Sequence, residues 1–223
     1  MFIRLPADEF VPKHNLNFYD SLNLLKIIEK CAFKKNLFLA GPKGVGKSTS
    51  IYKYAADNKI PLVSCPCSDE TRVSNLLGQF IVDSSNQTPF VLGPLAIAID
   101  VANEVGSAIL NLEEVNALSS GKQTILHSIS DFRKSVELPE AMTVLRLKEG
   151  KKLWITGTYN PEYPGTFPLT EALTSRFRVL QVGYPDPSVE KKILLKEVKP
   201  KFQEDSKFLD QLLEFCSKTR NQM

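Results

Sequence analysis

The stretch that most constrains this chain is Gly41-Pro42-Lys43-Gly44-Val45-Gly46-Lys47-Ser48. An apolar run, Leu37-Phe38-Leu39-Ala40, precedes it and is short enough to be a buried strand. The residues that follow, from Ser48 to Ala56, read as a helix. Strand, G-x-x-x-x-G-K-[ST] loop and helix in that order make a phosphate cradle. The glycines allow a tight turn that brings several N–H groups close to phosphate oxygens, and the helix aims its positive end at the same anion. Gly41, Pro42, Lys43, Gly44, Val45, Gly46, Lys47, Ser48 and Thr49 are therefore the candidate nucleotide contacts. Lys47 is expected on the β- and γ-phosphates, and the Ser48 hydroxyl on Mg²⁺. A glycine-rich turn with a chance lysine is the competing reading, and the flanking elements count against it.

A second stretch, Ala108-Ile109-Leu110-Asn111-Leu112-Glu113-Glu114, is an apolar strand ending in two carboxylates. Ligands of open α/β sheets gather at the carboxyl ends of the strands. Glu113 is then a candidate for holding Mg²⁺ directly or through water, and Glu114 for orienting and polarising an attacking water. Without the phosphate loop, two exposed glutamates capping a strand would be the simpler reading. A third strand, Leu153 to Thr158, runs into Tyr159-Asn160-Pro161, where the Asn160 amide could bond a γ-phosphate or the attacking water. An isolated Asn-Pro would be an ordinary turn signal.

Around these stretches, residues 1–20 lack periodicity and read as an arm. A helix is expected from Asp20 to Ala32, with Asp20 or Ser21 as its N-cap. Pro61 to Cys65 reads as a strand, and Ser68 to Phe80 as a loop that starts a helix. Gly93-Pro94 opens a helix to about Val105, and Ser119 to Asp131 is another. Residues 135–147 suggest a β-hairpin, a short helix begins near Leu169, and Val179 to Val182 is a last strand. After Pro185 and Pro187 the pattern is helical and charged. Strands alternating with helices predict an α/β fold with a mostly parallel sheet and helices on both faces.

Composition narrows the function classes. Hydrophobic residues at 43% of a 223-residue chain supply enough for a core. A net charge of +3 gives little support to a nucleic-acid or membrane partner. No apolar run approaches the roughly 18 residues that span a bilayer. The cysteines lack metal spacing, and Cys65-Pro66-Cys67 reads as two ordinary thiols. Reduced thiols in a cytoplasmic protein are expected. The lone His127 reads as a surface or satisfied polar residue, and Trp154 as core packing.

Over about residues 33–182 the chain resembles an AAA+ ATPase, and within that superfamily the MoxR group with its NorQ, CbbQ and GvpN relatives. Gly41 to Ser48 resembles Walker A, Glu113-Glu114 takes the place of the Walker B acids, and Asn160 stands at sensor 1. Thr71, Leu76-Leu77-Gly78 and Gly93-Pro94-Leu95 resemble family segments, and Gly165 to Leu173 followed by Arg176-Phe177 resembles the stretch carrying the arginine finger. The resemblance implies a three-layer P-loop NTPase core over residues 21–184 and the start of a helical lid, cut short, over 188–223. It implies a homo-oligomeric ring, usually a hexamer, with ATP and Mg²⁺ at each interface and Arg176 acting in trans. It also implies a protein substrate, often handled alongside a von Willebrand A domain partner. Arg176 or Arg178 could instead cap a helix or pair with a surface acid. Two departures stand out. Glu113 replaces the usual aspartate, and residues 187–223 supply only the first helices of the family's lid, with Arg220 in a family-like position but not read as sensor 2. A nucleotide-dependent switch with negligible turnover, and a nucleic-acid-acting AAA+ protein or restriction-type GTPase, are the other functions considered.

Overall fold

The computed structural model describes residues 2–13, 18, 20, 22–82, 86–197 and 206–220. Its centre is a five-stranded sheet built from β2 (Asn36–Ala40), β3 (Leu62–Pro66), β6 (Ser107–Glu113), β9 (Lys152–Tyr159) and β10 (Phe177–Gln181). The spatial order is β10-β2-β9-β6-β3, and every pairing is parallel. Parallel strands joined by helical crossovers are covered on both faces, which is why β2 is buried at every position. The two short sequence stretches singled out above thus end two strands, β2 and β6, that are not neighbours. The strand β9 lies between them and brings Asn160 up beside both.

Strand alternation divides the core in two. Leu37, Leu39, Leu62, Ile109 and Trp154 face α1 (Leu24–Cys31) and α2 (Lys47–Asp57). Phe38, Val63, Leu110, Leu112 and Ile155 face the other way, onto α4 (Pro94–Val105) and α6 (Leu126–Ser130). Helix α4 is buried almost all round, at Leu95, Ala96, Ala98, Ile99, Val101 and Ala102, so it lies flat on the sheet. Trp154 is core packing, as expected. It is 1% exposed, and its Nε1 donates to the Lys35 carbonyl at 2.9 Å. This is the three-layer α/β architecture of a P-loop core.

Several local expectations change. The first helix begins at Leu24 rather than at Asp20, because Asn23 adopts a left-handed conformation (φ 53°) that interrupts it. Asp20 still caps it from upstream, accepting from Leu24 N at 2.5 Å and Leu25 N at 3.1 Å. Ser21 lies outside the described residues. The segment after β3 holds α3 (Val73–Leu77) and then β4 (Gly78–Phe80), which pairs antiparallel with β5 (Phe90–Leu92). Residues 2–10 are a docked arm. β1 (Phe2–Ile3) pairs parallel with β5, Arg4 binds Asp100 and Glu104 on α4, and Ala7 is buried in a 3-10 turn. The helix expected from Ser119 to Asp131 is two pieces, α5 (Ser120–Gln123) and α6, joined by tighter turns at Ile125 N→Lys122 O and His127 N→Thr124 O. The hairpin is present as β7 (Ser135–Leu138) and β8 (Thr143–Arg146), and the short helix as α7 (Glu171–Thr174), capped by the Thr170 hydroxyl. Beyond the sheet lie α8 (Pro187–Glu197) and α9 (Ser206–Arg220), bridged by Lys191 and Asp210 at 2.6 Å. The Arg220 side chain lies outside the described residues.

Candidate functional site

Three strand ends and one loop converge on a cleft of about 390 Å³ lined by Lys43, Gly44, Gly46, Lys47, Ser48, Thr49, Glu113, Glu114, Thr158, Tyr159 and Asn160. The loop is anchored at its start, where Gly41 N donates to the Tyr159 carbonyl at 3.1 Å. A Cβ at Gly41 would lie 2.0 Å from the Val182 carbonyl oxygen, so only glycine fits between β9 and the chain leaving β10. Gly44 and Gly46 both have φ of +83°, which other residues adopt only with strain. Gly46 also caps α2, whose first N–H groups have no partner within the helix. Gly41→Ala is expected to destabilise the fold by roughly 2–4 kcal/mol, beyond ordinary overpacking because the clash is with backbone. Thermal unfolding of the variant checks this.

The Lys47 ammonium donates to the Gly41 carbonyl at 2.7 Å and the Pro42 carbonyl at 2.6 Å, which holds it across the mouth of the loop. Burial lowers its pKa from the ordinary lysine value, and the Glu114 charge opposes that shift. On the far side, Glu114 leaves the strand with φ 52° and ψ 45°, a left-handed conformation that costs about 1 kcal/mol or more for a residue with a side chain. This turn carries its carboxylate into the cleft, 3.6 Å from the Lys43 Nζ and well exposed. The Lys43 Nζ also sits 3.9 Å over the Tyr163 ring. Asn160 is braced by its neighbours. Its Oδ1 accepts from Glu162 N at 3.2 Å, and its carbonyl accepts from Asn116 Nδ2 at 2.7 Å.

Glu113 is held more firmly than either neighbour. Its Oε1 accepts from Ser64 Oγ at 2.9 Å, Tyr52 OH at 3.1 Å and Asn111 Nδ2 at 3.2 Å. None of these three partners stood out in the sequence. The signals were there at short range, since Tyr52 is one helical turn beyond Ser48 and Asn111 is two strand positions before Glu113.

The residues fit a nucleotide with a divalent ion. Helix-start amides and an ammonium suit the phosphates, and a hydroxyl with a carboxylate suits Mg²⁺. Among the described residues no group of three or more His, Cys, Asp or Glu could hold a metal alone, so phosphates and water would supply its remaining ligands. Beside the loop lies a second pocket of about 160 Å³, whose walls include Phe18, Leu22, Leu24, Val45, Pro185 and Ile193. It is mostly apolar, and it joins three segments distant in sequence.

Arg176 is not in this cleft. It stands at the opposite end of the sheet, before Phe177, which pairs with Asn36 at the start of β2. Five residues of strand separate that level from Gly41, about 17 Å. Its Nη1 donates to the Ala172 carbonyl within α7, and its Nη2 is 3.8 Å from Asp131. Asp131 is also held by Arg133 Nη2 at 2.8 Å, which keeps its carboxyl below the usual range. His127 departs from expectation. Its Nε2 and the Arg176 Nε are buried without a hydrogen-bond partner among the described residues. Burial, then the Arg176 charge, lowers the imidazole pKa. Cys65 and Cys67 are free, buried thiols, as expected.

Among the described residues no helix is long and apolar enough to cross a membrane. The chain is 29% identical over 201 residues to YojN, an uncharacterized protein of Bacillus subtilis, with 89% of this chain and 63% of YojN covered. An uncharacterized protein of Staphylococcus haemolyticus is 28% identical over 185 residues, covering 81% of this chain and 66% of that protein. The chain therefore spans less than two thirds of the length of these curated relatives. The crystal structure of a "putative ATPase" from Cytophaga hutchinsonii superposes with a TM-score of 0.61 at 18% identity, over 88% of this chain and 55% of the other, and so shares its fold. The family model of the AAA domain (dynein-related subfamily) matches residues 36–177, from the first residue of β2 to the first of β10, and the chain belongs to that family.

Proposed function

We propose that this chain binds ATP with Mg²⁺ and hydrolyses it within a homo-oligomeric ring that remodels or activates a protein partner in the cytoplasm. One observation carries the reading. Lys47, Ser48, Glu113, Glu114 and Asn160 line one cleft, and a sixth candidate group, Arg176, lies a sheet's length away. An arginine placed there does not reach its own subunit's phosphate loop, which supports a site shared between subunits. Family membership and fold support ATP binding and hydrolysis. The MoxR-like assignment, a hexameric ring and a von Willebrand A domain partner extend the motif resemblance at Gly165 to Phe177. ATP is preferred over GTP because the base-side pocket is largely apolar. Its one carboxylate, Asp20, is already bonded to the Leu24 and Leu25 amides. A second reading, a switch with negligible turnover, rests on Glu113 standing where aspartate is usual.

In the mechanism that follows, the loop amides and Lys47 bind the triphosphate. Ser48 and Glu113 would hold Mg²⁺, which when bound neutralises charge on the β- and γ-oxygens. Glu114 and Asn160 orient water in line with the γ-phosphate, and Glu114 takes its proton. Binding of a fluorescent ATP analogue tests the reading. Lys47→Ala should weaken it by roughly 10–100-fold, the worth of charge-assisted hydrogen bonds. Turnover per subunit should rise with protein concentration. A folded wild-type chain that binds neither ATP nor GTP would overturn the proposal.

A further inference from the structure

On the sheet face that carries α2, the side chains change character along the strands. Near the strand starts they are apolar, with Leu62, Ile109 and Trp154 buried. Two positions on, the row is polar. Ser64 is paired with Asn111, and Asn111 with Thr156, across three strands. Asn111 and Thr156 are both fully buried. Polar groups in such a place are costly unless satisfied, and these are. The Thr156 hydroxyl donates to Asn111 Oδ1 at 3.0 Å. That contact orients the amide so that its Nδ2 faces Glu113, at 3.2 Å. The Ser64 and Tyr52 hydroxyls reach the same Oε1. The whole row terminates on one carboxylate oxygen.

We propose that Tyr52, with Ser64 and Asn111, is a positioning group that fixes the Glu113 carboxylate for Mg²⁺, and that Tyr52 is what makes glutamate workable at this strand end. This inference rests on the nucleotide reading of the cleft. A glutamate carries its carboxylate about 1.5 Å farther than an aspartate and adds a rotatable bond. Mg²⁺ requires near-ideal octahedral geometry, so a mobile carboxylate would be a poor partner. Three donors on Oε1 remove that freedom and leave Oε2 to face the metal or its water. Tyr52 lies one turn beyond Ser48 on α2, so the same helix supplies the metal's hydroxyl and the donor that steadies its carboxylate. A shorter aspartate would draw back from the Tyr52 phenol.

The test compares wild type, Tyr52→Phe, Glu113→Asp and the double variant. Two readouts are used: fluorescent ATP analogue binding in excess chelator, and Mn²⁺ affinity of the nucleotide complex by electron paramagnetic resonance. Tyr52→Phe should weaken Mn²⁺ binding about tenfold, as loss of a group that orients a metal ligand does. Metal-free nucleotide binding should be unchanged, and the Tyr52→Phe effect should vanish in the Glu113→Asp background. Unchanged Mn²⁺ affinity in a folded Tyr52→Phe protein overturns the proposal. So does equal weakening of metal-free binding, which marks a role in holding the helix. If Tyr52→Phe does not fold, Ser64→Ala is read the same way. A folded wild type that binds no nucleotide overturns the underlying reading of the cleft, a result distinct from the other two.

Discussion

Glu114→Gln is expected to lower ATP turnover by about 10²–10⁴-fold, the usual worth of a positioned general base, with little change in nucleotide affinity. The split follows from what the side chain touches. Glu114 is well exposed, and its ion pair with Lys43, at 3.6 Å, is a surface contact worth less than about 1 kcal/mol. The fold does not depend on it. Its backbone does constrain it, since a left-handed glutamate at the end of β6 is strained. That strain turns the carboxylate away from the direction β6 would give it and into the cleft. Glutamine keeps the shape and the turn but cannot take a proton. Phosphate release and fluorescent ATP binding, measured on the same preparation, separate the two effects. Turnover equal to wild type would remove Glu114 from the chemistry. Lost binding would show that the substitution had disturbed the loop instead.

The parts of this site that could be read in the sequence are those written in one continuous stretch. Gly41 to Ser48 carries its own geometry, because each glycine serves a local turn or close approach. Glu113 and Glu114 were legible because an apolar strand must end where ligands collect. The Ser64 part of the clamp on Glu113 was not, since it depends on which strands are neighbours. Ser64 meets Asn111 only because β3 pairs with β6, in a register that no single strand specifies. The apolar pocket beside the loop was missed for the same reason. Phe18, Val45, Pro185 and Ile193 meet only after the chain has crossed the sheet.

In the fold, the long periodic elements were legible and the short ones were not. The strands β4 and β5 have three residues each, and what makes them strands is the pairing of β5 with β4 on one side and β1 on the other. The start of α1 was displaced by one left-handed asparagine, which propensity does not foresee. Arg176 shows the limit most clearly. Its neighbours Ala172 and Asp131 give it the helix-capping and ion-pairing roles that any arginine there could have. Only its level on the sheet, at the Asn36 end of β2, separates it from its own subunit's cleft.

That separation leads to the largest expected effect. Arg176→Ala should reduce turnover by roughly 10³-fold or more, the scale of an arginine supplied in trans to a γ-phosphate. The variant should stay folded. Its side chain is 28% exposed, and a 3.8 Å contact to Asp131 contributes less than about 1 kcal/mol. The Ala172 carbonyl it caps can turn to water. Activity alone would not distinguish a trans-acting group from a local one, so mixing is decisive. In a ring with head-to-tail interfaces, a site needs Glu114 from the subunit that holds the nucleotide and Arg176 from the next. Glu114→Gln and Arg176→Ala chains, each inactive alone, would form a complete site wherever an Arg176→Ala subunit receives its neighbour's arginine from a Glu114→Gln subunit. Random assembly of equal parts places that pair at about one interface in four, so roughly a quarter of wild-type turnover should return if sites act independently. No recovery in a mixture shown by sizing to co-assemble would mean that both residues act within one subunit. The roughly 17 Å along β2 between the level of Arg176 and that of the phosphate loop is more than an arginine side chain spans, so recovery is the result expected.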